Sequence, residues 1–431
     1  MTSTPEPAGT AGAPATVPDA PNAPDVPDPT DATDATSGVI TATDPLTLTR
    51  HLVATESVSG NERLLADLVE QRLRLRAPHL KIHRIGNNVV ARTEAGAAQR
   101  VLLAGHLDTV PLAPDAAHPL RRATADEVHG LGAVDMKGGI ALMLLLAEEA
   151  HRSRSDCTFV FYDQEEVGSR RSGMNTLFAD HRELMAGDFA VVLEPTGGLL
   201  EAGCQGNLVL ELEFSGARAH TARPWRGQNA IHLATESLGR LVAFQPQPQL
   251  IDGLSYRQAF SVVKVEGGVQ GNVVPDRCVI RVNYRHAPGT STEQATAEIT
   301  ALAPEASAVR TLLSSPPARP ELGHPLLRRL RDPAGLAVRP KLGWTDVGRF
   351  AGHGIPAVNF GPGDPELAHS PYEVVDRASL EACRRALHGF LGLGRERLPG
   401  LSAGLAPELS HGLSHGLSRP ADSTPEDVVQ P

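Results

Sequence analysis

Seven side chains in this sequence are of the types that bind and use metal ions: His106 and Asp108 in Gly105-His106-Leu107-Asp108-Thr109-Val110, Asp135 ahead of Met136-Lys137-Gly138-Gly139, the adjacent pair Glu165-Glu166, then Glu194 and His369. Imidazole and carboxylate donors without thiolate suit zinc, cobalt or manganese in a catalytic site that keeps an open position. There are more carboxylates than one ion needs, which points to two ions joined by a bridging aspartate, with a spare glutamate as general base. The Glu165-Glu166 pair supplies one residue for each task. In an extended chain His106 and Asp108 point the same way, so the aspartate can fix the tautomer of a metal-bound imidazole. Taken singly, each has a plainer account: a core histidine satisfied by its neighbour, an aspartate capping a helix that begins near Lys137, a solvated acidic loop.

What favours the chemical account is where the elements put these residues. Val101 to Ala104 is an apolar run that reads as a buried strand ending at His106. Further strands are expected at 81–85, 88–93, 157–163, 188–193 and 357–360. Helices are expected in 44–77 (two of them), 137–151, 173–178, 324–331, 345–351 and 377–391. Alternating helices and strands, several strands continuously apolar, imply an α/β fold with a mostly parallel sheet covered on both faces. Ligands gather at the carboxyl ends of such strands, so acids and histidines dispersed in sequence can converge there. The pattern changes near Gly203. Strands at 207–215, 259–266 and 277–284 with helices at 228–242 and 291–302 describe a small antiparallel α+β domain inserted into the first.

The chain of 431 residues exceeds a single core. Segments 1–43 and 397–431 are rich in Pro, Ala, Ser, Gly and Asp and are expected to be disordered tails. Between them lie a catalytic domain in two parts, 44–203 and 313–396, and the inserted domain, 204–312. The net charge of −10 and the lack of a basic block argue against a nucleic-acid or anionic-membrane partner. Four scattered cysteines suggest neither disulfides nor a thiolate metal site. The N-terminal stretch lacks the features of a secretory signal and no apolar run is long enough to span a bilayer, so the expectation is a cytoplasmic protein.

Taken together, Gly105 to Val110, Gly132-Ala133-Val134-Asp135-Met136-Lys137-Gly138-Gly139, Glu165-Glu166, Glu194-Pro195-Thr196 and Ala368-His369 resemble the dinuclear zinc peptidase family of carboxypeptidases, aminoacylases, deacetylases and desuccinylases. The resemblance covers about 44–395. It implies two Zn2+ per subunit, with Co2+ or Mn2+ as substitutes: His106 and Glu194 on one, Glu166 and His369 on the other, Asp135 between them. It also implies that Asp108 orients His106, that Glu165 is the general base, and that the Asp135–Met136 peptide is cis. Gly216 to Pro224 resembles the family's lid motif, whose histidine, here His220, reaches the partner subunit's active site in a homodimer built through the inserted domain. Asn272 and Arg285 match positions that hold a substrate carboxylate.

Longer runs, among them Glu201 to Gly206, Ala222-Arg223-Pro224-Trp225 and Gly343-Trp344-Thr345-Asp346, resemble the family's desuccinylase branch. That resemblance implies hydrolysis of N-succinyl-LL-diaminopimelate to succinate and LL-diaminopimelate, in lysine and diaminopimelate biosynthesis. So anionic a substrate calls for cationic or hydroxyl contacts, for which Arg223 and Thr345 are candidates. The alternatives are acetylornithine deacetylase or a broader aminoacyl amidohydrolase, and, outside enzymes, an inactive relative that binds metabolites. Gln164 departs from the acid found there in many relatives. The acid expected after the last histidine is present as Glu373.

Overall fold

The structure, a computed structural model, describes residues 32–114, 118–168 and 170–394. The expected tail 397–431, and 1–31 of the N-terminal one, lie outside the described residues. An eight-stranded mixed sheet forms the centre, in the order Lys81–Ile85, Asn88–Arg92, Asp156–Tyr162, Arg100–His106, Phe189–Val192, Ala357–Asn359, Leu200–Ala202, Val338–Pro340. The four strands from Asp156–Tyr162 to Ala357–Asn359 run parallel. Successive residues of the Arg100–His106 strand feed different cores. Val101 and Leu103 join one with Leu142, Phe159 and Val191, while Leu102 and Ala104 join the other with Val160, Met174 and Phe350. Full burial of such side chains contributes about 1.5–3 kcal/mol each, which is why the strand reads as continuously apolar.

Helix Gly138–Glu149 is buried all round over its first ten residues. Its glycine-rich start has a steric reason: a Cβ at Gly139 would stand 2.4 Å from the Leu193 carbonyl oxygen. The close approach brings the segment before this helix, with Asp135, against the strand that leads to Glu194.

The inserted sheet has four antiparallel strands, Ala259–Gly267, Arg277–His286, Gly206–Ser215 and Ala308–Ser315, with helices Ala230–Ala243 and Thr292–Ala301 over one face. The fourth strand was not expected from the sequence. It carries the sheet to Ser315, past the expected boundary at 312. Its exposure pattern explains the omission, since as an edge strand it buries only Ser315 fully.

One segment departs from the expected disorder. Ala32–Thr41 is a helix, and fully buried Arg72 donates to the carbonyls of Val39 at 2.6 Å and Ala42 at 2.9 Å while pairing with Glu148. The guanidinium satisfies carbonyls that the helix end leaves open. Composition missed this because the partner is 30 residues and more away in sequence. A three-stranded sheet, Val374–Asp376, Glu127–Gly130 and Leu120–Ala123, was also unexpected.

Candidate metal centre

His106 ends the Arg100–His106 strand, Asp135 precedes helix Gly138–Glu149, Glu165 and Glu166 follow Asp156–Tyr162, Glu194 follows Phe189–Val192, and His369 lies in the loop after Ala357–Asn359. The structure brings all of them together. His106, Asp135 and Glu194 form one group of donors within 4.8 Å of one another, and Asp135, Glu166 and His369 form a second. Asp135 joins the two with separate oxygens: Oδ1 lies 2.9 Å from His106 Nε2 and Oδ2 lies 3.3 Å from His369 Nε2. His369 Nε2 is also 2.8 Å from Glu166 Oε1, and His106 Nε2 is 3.9 Å from Glu194 Oε1. Two imidazoles and three carboxylates in two groups that share one aspartate fit two divalent cations of the hard-to-borderline class. The two groups differ in access. His106 is 1% exposed, whereas the His369 side chain is 50% exposed and borders a cavity of about 620 Å³ lined by Val110, Leu112, His118 and Leu131.

The charge balance fits cations as well. Burial disfavours the Glu194 carboxylate and Asp135 repels it, pushing its pKa up to about 8. Burial, aided by Asp346, Glu194 and Glu166, also lifts Glu165 well above the usual range against the attraction of His106. Burial of Asp135 is outweighed by hydrogen bonds from His106 and His369, so its carboxyl is lowered. Bonds to Asp135 and Glu166 hold the His369 imidazolium up to about 10. For His106 burial opposes the charged form, but bonds to Asp108 and Asp135 outweigh it. Carboxylates crowded in a buried place, with two of them pushed toward the neutral form, make a natural seat for cations.

Asp108 has a wider part than expected. The nearest neighbour of His106 Nδ1 is the Asp108 backbone carbonyl at 3.0 Å, with carboxylate Oδ1 at 3.5 Å. The carboxylate itself accepts the backbone N–H groups of Glu165 and Glu166, both at 3.0 Å, and the Ser59 hydroxyl at 2.6 Å. It therefore clamps the turn that presents both glutamates. That turn starts from Gln164 at φ 55°, and His369 sits at φ 60°, so both glutamates and the last histidine hang on left-handed backbone. Glu373 does for Asp135 what Asp108 does for the glutamates: its Oε2 accepts N–H groups of Gly132 at 2.9 Å and Val134 at 3.2 Å. The Asp135–Met136 peptide is cis, as the resemblance implied. Lys137 turns away; its buried ammonium donates to the Thr55 carbonyl at 2.7 Å.

The remaining site candidates are not in this cluster. His220 is exposed on the inserted domain, where its loop pairs with the turn of Asn272 through Thr221 N–H to Asn272 O at 3.1 Å. Arg223 is exposed two residues beyond Thr221. Thr345 lies just before helix Val347–Gly352, but its hydroxyl donates to Asn359 Oδ1 at 3.0 Å. Arg285 is half-buried on the inserted sheet and, among the described residues, has no acid bonded to it. Ser59 was missed, and a serine after Ser57-Val58 offers no signal that its hydroxyl reaches a carboxylate 49 residues away.

Comparison with known proteins agrees with this geometry. Residues 102–392 match the profile of peptidase family M20/M25/M40. The chain is 43% identical over 350 residues to a Mycobacterium tuberculosis protein given the provisional name succinyl-diaminopimelate desuccinylase DapE, covering 81% of this chain and 98% of that one. It is 40% identical over 337 residues to the succinyl-diaminopimelate desuccinylase of Corynebacterium glutamicum, covering 76% and 90%. The fold resembles a tripeptidase of Staphylococcus aureus (TM-score 0.64, 19% identity, 82% and 98% covered). It also resembles the Bacillus subtilis YXEP protein, described as a dinuclear metal-binding peptidase (TM-score 0.58, 15% identity, 84% and 98% covered). On its sequence match and its fold, the chain is a member of peptidase family M20/M25/M40.

Proposed function

We propose that the chain is a metal-dependent amidohydrolase that cleaves N-succinyl-LL-diaminopimelate to succinate and LL-diaminopimelate. The observation that carries the reading is the shared Asp135, with one oxygen toward His106 and the other toward His369, beside a glutamate, Glu165, left over for proton transfer. The names of the relatives, which cover nearly the whole of the first one's length, support the substrate. His106 and Glu194 would hold one ion, Glu166 and His369 the other, and Asp135 both; zinc is the expected metal, with cobalt or manganese as substitutes. When bound, such ions polarise an amide carbonyl and make water a stronger acid.

The chain's own residues do the rest. Glu165 takes the proton from the attacking water and can return it to the leaving amine nitrogen. Asp108 holds Glu165 and Glu166 in register through their N–H groups. His220 of a second subunit donates to the oxyanion that develops on the carbonyl oxygen. Arg285, Asn272 and Arg223 take the substrate carboxylates, for which a guanidinium fork is well shaped, and Thr345 is a further hydroxyl contact. The proposed homodimer forms through the inserted domain, whose edge strand Ala259–Gly267 leaves Val263 and Val265 about half exposed. The proposed setting is the cytoplasm; among the described residues no helix is long and apolar enough to cross a membrane.

The test is hydrolysis of N-succinyl-LL-diaminopimelate against N-acetylornithine by zinc-loaded protein. Faster turnover of the succinyl substrate is expected; preference for the acetyl substrate would overturn the branch while leaving the hydrolytic machinery standing.

A further inference from the structure

The turn that carries Glu165 and Glu166 leaves the sheet after Tyr162, and the chain comes back at Ser172 and Gly173, where Gly173 N–H donates to the Asp163 carbonyl at 2.9 Å. Asp108 clamps the outgoing end through the N–H groups of the two glutamates. A turn fastened at one end can still pivot, so the returning end matters as much for where Glu165 stands. That end is fastened by Arg349. Its Nη1 donates to Ser172 Oγ at 2.8 Å, and the same oxygen accepts the Met174 N–H at the start of helix Gly173–Asp180.

Arg349 is held in turn by an acid that the proposed chemistry does not use. Asp346 is fully buried, and its Oδ1 lies 2.7 Å from Arg349 Nη1. A carboxylate so placed needs a cationic partner. Asp346 stands at the start of helix Val347–Gly352 yet makes no side-chain cap bond to it, so the carboxylate is spent on the guanidinium. Through Val347 and Phe350 that helix packs in the same core as Tyr162, and the Asp346 charge acts on both the Tyr162 hydroxyl and Glu165. The ion pair therefore lies close to the general base.

The guanidinium has a further neighbour. It lies over the Trp344 ring, 5.4 Å from the centroid, and Trp344 Nε1 donates to the Pro316 carbonyl at 3.0 Å. Pro316 follows strand Ala308–Ser315, where the chain returns from the inserted domain. The approach is close: a Cβ at Gly348 would stand 2.5 Å from the Pro316 oxygen and 2.6 Å from Trp344 Nε1. One side chain thus joins the turn of the base to the connection of the inserted domain.

We propose that Arg349 is a positioning residue: it fixes the returning end of the Glu165-Glu166 turn through Ser172 and braces it, through Trp344, against the connection to the inserted domain at Pro316. The assignment rests on the amidohydrolase reading above. Arg349 takes no part in bond cleavage.

Ser172→Ala removes the bond to the turn and leaves the pair of Asp346 and Arg349 intact. In hydrolysis of N-succinyl-LL-diaminopimelate by zinc-loaded protein, kcat should fall about tenfold, the lower end for losing a charge-assisted hydrogen bond, with KM little changed and both metal equivalents retained. Trp344→Phe keeps a ring and loses the bond to Pro316. It should lower kcat by a smaller factor, and the double variant should lose less than the product of the two factors, because both act through one guanidinium. Arg349→Ala should lose about a hundredfold, the effect of a base displaced by about 1 Å. Arg349 lines a cavity of about 400 Å³ with Asn175, Ser315 and His353, so millimolar guanidinium chloride should restore part of kcat in this variant where sodium chloride does not. Should Arg349→Ala fail to fold, the Ser172 and Trp344 variants decide. Wild-type kcat in Ser172→Ala, metal lost in step with activity, or a folded Arg349→Ala that guanidinium does not restore would overturn the positioning role while the hydrolase reading stood. Wild-type kcat in Trp344→Phe, or losses that simply multiply in the double variant, would overturn the brace to the inserted domain. Failure of the wild-type protein to turn over the amide would overturn the hydrolase reading itself.

Discussion

Asp108→Asn separates the orienting role expected from the sequence from the clamp on the Glu165-Glu166 turn seen in the structure. The carboxylate is fully buried and accepts three hydrogen bonds, from Glu165 N on Oδ1 and from Glu166 N and Ser59 Oγ on Oδ2. Asparagine keeps the shape but has one acceptor oxygen. The cheaper orientation places that oxygen where Oδ2 serves two donors and turns the amide NH2 toward Glu165 N–H. The loss is one charge-assisted bond, about 1.5–3 kcal/mol, plus an unsatisfied buried donor at about 1–3 kcal/mol. The turn is half-buried, so relaxation toward water keeps the total near the lower end, about 3 kcal/mol. The strain falls mainly on Glu165, since Glu166 keeps its acceptor and His106, though it loses the Oδ1 contact at 3.5 Å, keeps the Asp108 backbone carbonyl at 3.0 Å. Turnover should therefore drop on the order of a hundredfold, the effect of displacing a reacting group by about 1 Å, with both metal equivalents still bound. Steady-state kinetics together with metal analysis of the purified variant measure both quantities. Wild-type turnover would refute the clamp, and loss of metal in step with activity would return Asp108 to its simpler role of orienting His106.

Glu165→Gln should retain metal and lose turnover by about 10²–10⁴-fold; most of the activity surviving would remove Glu165 from the general-base role. Mixing inactive Glu165→Ala chains with His220→Ala chains should restore activity through one intact composite site per mixed dimer, and no recovery would show that His220 does not act across subunits. Arg72→Met leaves Glu148 to its other partner, Arg76 at 3.0 Å, and strands the carbonyls at the end of Ala32–Thr41. A loss of about 1–3 kcal/mol in urea unfolding is expected, the cost of buried acceptors left unsatisfied, and a change under about 0.5 kcal/mol would mean the helix is not anchored through this residue. Lysines in place of Val263 and Val265 put charge on the exposed edge of the inserted sheet; light scattering should report monomers, and an intact dimer would place the interface elsewhere.

How much could be foreseen depended on whether a residue's role is local. His106 was legible because an apolar strand must end somewhere and its last residue is a histidine; Asp135, Glu194 and His369 follow the same logic beside their own elements. Helix Arg377–Leu391 was anticipated residue for residue since its apolar stripe, Leu380, Cys383, Leu387 and Leu391, has helical period. The edge strand Ala308–Ser315 and the helix Ala32–Thr41 escaped for opposite reasons. One is exposed and so lacks a pattern, and the other is held by an arginine far along the chain.

The supports of the site were the least legible part, and the reason is physical. A ligand type advertises its chemistry, whereas a carboxylate that accepts backbone N–H groups, such as Asp108 or Glu373, looks like any other acid until the loop it holds is seen. The same holds in reverse for Arg285. Its meaning lies in the missing acid across the strand, where Asn207 stands while Arg277, Arg281 and Arg310 have Glu211 and Glu213. An absence of pairing is a property of register, and register is set by three strands at once. The paired arginines therefore stabilise the inserted sheet, and Arg285, which has no acid bonded to it among the described residues, stands outside those ion pairs.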